Sequence, residues 1–107
     1  YVEPKRFSVV RDFCGHGLGQ VFHTEPSIVH YGNPGEGLVL EEGMFFTIEP
    51  MINLGKVGTH LDQQDKWTVR TLDGKNSAQF EHTILMTEEG PEILTLTKNG
   101  PQKGHKF

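Results

Sequence analysis

Two stretches decide how this chain is read: Met44-Phe-Phe-Thr-Ile-Glu-Pro-Met-Ile52 and Ala78-Gln-Phe-Glu-His-Thr-Ile-Leu-Met86. Both are rich in β-branched and aromatic residues, and neither carries a helical period. Each predicts a strand, and each holds a glutamate. Side chains alternate across a strand. Phe45, Thr47 and Glu49 then share one face of the first, with Phe46 and Ile48 on the other. Gln79, Glu81 and Thr83 share one face of the second, opposite Phe80, His82 and Ile84. A carboxylate buried without a partner is strongly unfavourable. Three arrangements answer that: exposure on a half-solvated sheet, two carboxyls sharing one proton, or ligation of a cation.

Outward from these stretches, turn signals set the frame. Glu41-Glu-Gly43 precedes the first strand, and Tyr31-Gly-Asn-Pro-Gly-Glu-Gly37 is a loop. Trp67–Thr71 predicts a further strand, and Asp73-Gly74 a hairpin-type turn. Glu89-Gly90 turns the chain into a strand over Ile93–Leu96, and Asn99–His105 reads as a frayed tail. Phe7–Phe13 is a short strand or the approach to a turn. Cys14-Gly-His-Gly-Leu-Gly19 excludes a comfortable helix and permits positive φ or close backbone approach. Pro26 biases Glu25 toward extended backbone. The sum is a mainly antiparallel β segment.

Composition narrows the function classes. Ten Lys+Arg against fourteen Asp+Glu leave a net charge of −4 over 107 residues, and no basic cluster marks a nucleic-acid surface. No apolar run approaches the roughly 20 residues of a membrane span. One cysteine excludes an internal disulfide, and Cys14, beside Phe13, reads as a small core residue. There is no His-Glu-x-x-His, no P-loop, no complete dinucleotide fingerprint and no Gly-x-Ser-x-Gly elbow. Among the six histidines, His30 and His60 read as surface, His105 as tail, and His82 as a structural histidine pointing away from Glu81. His16 stands apart because its glycine neighbours remove bulk and let the ring approach an ion or substrate. His23, just before Thr24-Glu25-Pro26, is a weaker candidate.

Five motifs then occur in order: Cys14-Gly-His-Gly-Leu-Gly19, Phe22-His-Thr-Glu-Pro26, Glu42-Gly-Met-Phe-Phe-Thr-Ile-Glu-Pro50, Trp67-Thr-Val69 and Ser77-Ala-Gln-Phe-Glu-His82. Together they closely resemble the C-terminal half of the type I methionine aminopeptidases, which are pita-bread metallopeptidases of α+β class. The short spacing between the His23 and Glu49 motifs lacks the helical insertion of the type II enzymes. The resemblance implies that His16, Glu49 and Glu81 ligate metal, with Glu81 bridging two divalent ions. It implies that Glu49 also shuttles a proton and that His23 contacts the substrate near the scissile bond. Phe22 and Trp67 match residues lining the methionine pocket, Thr47 a position that helps hold bound water, and Ser77 a monovalent-cation contact. The divalent ions are Co, Mn, Fe or Zn, which ligand type does not separate.

The implied function is removal of the initiator methionine from nascent polypeptides in the cytoplasm, with no membrane or direct nucleic-acid partner. A complete site in that family has five protein ligands, and two aspartates of the N-terminal half have no counterpart here. The reading is therefore a catalytic-domain part over residues 1–97 and a tail over 98–107. The missing N-terminal half of the same enzyme is a required partner, and the segment alone is expected to be inactive. Two alternatives stand beside it: a metal-free binding module of pita-bread fold, and a proline-specific peptidase of that fold.

Overall fold

The structure, a computed structural model, describes residues 1–100. After a 3-10 turn at Glu3–Lys5, the described residues form short strands joined by turns. These are β1 (Ser8–Val9), β2 (Gly15–Leu18), β3 (Thr24–Ile28), β4 (Phe45–Ile48) and β5 (Met51–Asn53). They continue with β6 (Thr59–Leu61), β7 (Val69–Thr71), β8 (Ser77–Gln79), β9 (His82–Thr87) and β10 (Gly90–Ile93). A five-stranded sheet has the order β10-β9-β4-β2-β3, a three-stranded sheet the order β1-β5-β8, and β6 pairs with β7. Every pairing is antiparallel, as the strand-rich sequence predicts.

Both deciding stretches break at their glutamates. The chain passes from β4 to β5 through Glu49-Pro50, and from β8 to β9 through Phe80-Glu81. Pro50 has no N–H to give to a ladder, so regular pairing stops there. The register nevertheless survives the break. Ile48 pairs with His82 on one side, and Met51 pairs with Gln79 on the other. Carried across the gap, that register sets Glu49 opposite Glu81. One ribbon therefore crosses from sheet to sheet, and the two glutamates sit at the crossing.

The buried apolar side chains are Val9, Val10, Phe46 and Ile84. Phe46 and Ile84 are direct partners on β4 and β9, so the sheet centre is held by a cross-strand pair. Simple alternation fails on β4: Phe46 (2% exposed) and Thr47 (1%) are both buried, whereas Phe45 and Ile48 are not. Thr47 is buried because the glycine strand β2 lies against it. A Cβ on Gly15 would stand 2.2 Å from Thr47 O, and one on Gly17 would stand 2.1 Å from Glu25 O. The expected close approach is real, and it forms a strand rather than a loop.

Other expectations shift. The Trp67–Thr71 strand starts only at Val69, leaving Trp67 in the loop before it. The final strand spans Gly90–Ile93 rather than Ile93–Leu96: it starts directly after the turn, where Gly90 (φ +117°) pairs back to Thr87, and has ended before Leu94. Asp73-Gly74 does turn the chain, with Gly74 at φ +68°. It does not make a hairpin, since β7 pairs with β6 and β8 with β5. Residues 98–100 lie in a turn, and the remainder of the expected tail, His105 included, lies outside the described residues.

Gly15→Ala and Gly17→Ala push a methyl into backbone that side-chain rotation cannot clear. Each is expected to cost about 3 kcal/mol, the upper part of the usual overpacking range. A lowered urea midpoint at unchanged slope would show it. A midpoint equal to that of the parent chain would mean that β2 and its neighbours part freely.

Candidate metal centre

His16 is the second residue of β2. Its Nδ1 lies 2.9 Å from Gly17 O, a group that can only accept, so this nitrogen carries the proton. Nε2 is left with its lone pair, the form in which imidazole binds metals. It faces Glu49 Oε1 at 3.6 Å, too long for a good hydrogen bond. One ligand atom from each of His16, Glu49 and Glu81 lies within 4.8 Å of the others.

Thr47 ties two of these residues together. Its hydroxyl accepts the His16 backbone N–H at 3.0 Å and donates to Glu49 Oε1 at 2.8 Å. The backbone of one ligand candidate and the carboxylate of another are thereby positioned by one buried side chain. Thr47 and Glu49 do share a face, as alternation predicts.

The charge balance is lopsided. Among the described residues no Lys or Arg forms an ion pair with Glu49 or Glu81; the arginine pairs are Arg11–Glu3 and Arg70–Asp62, elsewhere. Two carboxylates this close repel by about 1 to 3 kcal/mol, depending on water screening. A cation removes that repulsion and uses the free Nε2 lone pair. A mixed nitrogen and oxygen donor set suits divalent first-row ions.

His30, read from the sequence as a surface residue, has a different role. It follows β3, and its Nε2 accepts the Glu49 backbone N–H at 2.9 Å. That N–H belongs to the break in the ribbon, where no strand partner takes it. Burial lowers the His30 pKa, and the Glu49 charge opposes this more weakly. No local pattern announces the contact, because 19 residues separate the partners. His82, by contrast, shares a hydrogen bond of 2.9 Å with Thr95.

The three ligand candidates line an open cleft of about 850 Å³ together with Phe22, His23 and Trp67. The His23 ring meets His16 edge-on at 4.3 Å and Phe22 at 4.5 Å. Cys14 is half-buried on the cleft wall rather than in the core. Asp12 and Glu25 add two carboxylates to the lining that the sequence reading did not place there. Ser77 is not in this cleft: it borders a separate cavity of about 200 Å³ beside Asn53 and Thr59.

His30→Ala leaves the Glu49 N–H without its acceptor and is expected to cost about 1–2 kcal/mol at pH 7.5. The pH dependence has a definite sign. The folded His30 pKa is depressed, so its contribution is complete above the ordinary value of 6.5 and is lost as pH falls through the lower folded value. His30→Gln, which keeps an acceptor without the titration, is expected to flatten the fall in stability between about pH 7 and 5. Equal slopes for the two proteins, in denaturation at several pH values, would contradict this.

The model of metallopeptidase family M24 matches residues 1–88. A methionine aminopeptidase of Rickettsia prowazekii is 59% identical over 97 residues, covering 91% of this chain and 38% of the relative. One from Escherichia coli K12 is 52% identical over 99 residues, covering 92% of this chain and 37% of the relative. The solved Rickettsia prowazekii methionine aminopeptidase superposes with a TM-score of 0.84 over 90% of this chain and 39% of that one, at 59% identity. The Thermotoga maritima methionine aminopeptidase gives 0.82 over 88% of this chain and 37% of that one, at 50% identity. The chain thus spans about two-fifths of the length of the relatives it matches. Its strands are those of a pita-bread fold, and the chain belongs to metallopeptidase family M24.

Proposed function

We propose that this chain is the part of a methionine aminopeptidase that supplies His16, Glu49 and Glu81 to a centre for two divalent ions, and that the enzyme removes N-terminal methionine from nascent polypeptides. The observation that carries the reading is the convergence of those three donors within 4.8 Å, with no arginine or lysine ion-paired to the two glutamates among the described residues. Divalent ions of the Mn, Fe, Co or Zn type would supply Lewis acidity and a water of lowered pKa.

The chain's own groups do the rest. Glu49, oriented by the Thr47 hydroxyl on Oε1, is the carboxylate that takes a proton from water and returns it to the departing amine. His23, on the cleft wall beside His16, donates a hydrogen bond where charge develops on the peptide. Phe22 and Trp67 offer apolar surface to a thioether side chain. Ser77 remains the proposed monovalent-cation contact. In its favour, the cavity it borders is also lined by Asn53, whose buried Oδ1 has no hydrogen-bond partner among the described residues.

The partner required by this reading is the N-terminal portion carrying the two further aspartates. No helix among the described residues is long and apolar enough to cross a membrane, and the proposed place of action is the cytoplasm.

Two measurements test the proposal. Titration calorimetry with Mn(II) is expected to show weak binding to the chain, reduced at least about tenfold by Glu49→Ala or Glu81→Ala. The chain alone is expected not to hydrolyse a Met-Ala-x peptide, and to do so once the missing portion is supplied. Hydrolysis of x-Pro peptides instead would identify a proline-specific enzyme. Peptide binding that ignores metal and both substitutions would identify a binding module.

A further inference from the structure

Trp67 is the single tryptophan of the chain and is 85% exposed, yet it stands in the wall of the metal cleft. An exposed indole on a turn would ordinarily be mobile, and a mobile wall cannot define a pocket. The loop that bears it is heavily stapled. Asp65 Oδ1 accepts both the Trp67 and the Thr68 backbone N–H, each at 2.9 Å, and Asp65 Oδ2 accepts the Thr68 hydroxyl at 2.5 Å. Lys66, between Asp65 and Trp67, is held at φ +53°, an unusual conformation for a side chain of that kind. A second aspartate closes the base of the loop. Asp62 O accepts the Lys66 N–H at 2.9 Å, and the Asp62 N–H reaches Thr68 O at 2.8 Å. Its Oδ2 takes the Arg70 Nε–H at 3.1 Å. Finally, Thr59 at the start of β6 donates to Asp12 Oδ2 at 2.8 Å, tying this hairpin to another wall of the same cleft.

We propose that Asp65 is a positioning residue: its carboxylate fixes the Trp67 backbone and so sets where the indole stands in the cleft, and through it which first side chain the site accepts. Its effect on substrate choice rests on the reading of Trp67 as a pocket wall; its hold on Trp67 does not. All three acceptor contacts need lone pairs on the carboxylate. The same contacts, with the Thr68 hydroxyl foremost, hold the Asp65 pKa down to about 2, so the staple stays charged across the working pH range. Asparagine can reproduce the Oδ1 contacts, and alanine none.

Trp67 reports on its own loop, because no other tryptophan emits. Time-resolved anisotropy of the 107-residue chain is expected to show Trp67 turning with the whole molecule. Asp65→Ala is expected to add a fast sub-nanosecond component, and Asp65→Asn to suppress most of it, with far-UV circular dichroism unchanged in both. If Asp65→Ala does not fold, Thr68→Val removes only the Oδ2 contact, and a smaller fast component is expected there. Unchanged anisotropy in the folded variants would overturn the proposal. Methionine amide with Mn(II) serves as the probe of the pocket: its perturbation of Trp67 emission is expected at about tenfold higher concentration in Asp65→Ala than in Asp65→Asn. Equal concentrations in those two variants would overturn the link to substrate choice. No perturbation in the parent chain would overturn the pocket reading of Trp67, while the anisotropy would still decide whether Asp65 holds it.

Discussion

The centre depends on two carboxylates being held face to face. Glu49 and Glu81 lie at one crossing point of a ribbon that runs through two sheets, in a register shared by both sides of the break. Like charges placed opposite each other across strands weaken a sheet. Here the cost is accepted at the point where the ladder is already interrupted by Pro50. The interrupted ladder and the carboxylate pair are therefore one feature, and a cation bound there would relieve the repulsion.

Everything around the crossing serves to hold it without a complete ladder. Thr47 bridges the His16 backbone and the Glu49 carboxylate, and His30 accepts the N–H that the break leaves unpaired. The glycines of β2 let that strand approach β4 and β3 closely enough for His16 to reach the same point. His16 and Glu49 are thus placed by hydrogen bonds, while the buried apolar core is small. Val9, Val10, Phe46 and Ile84 are its buried apolar members. Much of the remaining apolar surface, Leu38, Val39 and Phe80 included, is open to solvent. Exposed apolar area of this extent fits a polypeptide that packs against more chain, in keeping with relatives more than twice as long.

Much of this was legible from one line of residues. Period-two patterning and β-branched content identified β4 and β9. The two glutamates inside those runs stood out because carboxylates do not belong in apolar strands. The glycine-flanked His16 marked close approach. Less was legible where partners are distant. His30 looks like any loop histidine until Glu49 is folded onto it, and Asp12 looks like a surface acid until the β6–β7 hairpin brings Thr59 to it. Trp67 read as strand because its neighbours are β-formers, but Asp65 captures its backbone N–H first and local turn chemistry prevails.

The sequence by itself determined the donor types, the strand class and the family, since these reside in residue identity and short spacing. The tertiary structure decided how the donors are oriented. His16 Nε2 is available because Gly17 O takes the Nδ1 proton, and the Glu49 carboxylate is turned toward it by the Thr47 hydroxyl on Oε1. It also decided that Glu49 opposes Glu81. That pairing is a matter of register between strands more than 30 residues apart, and register is set by the joint packing of both sheets rather than by either segment alone.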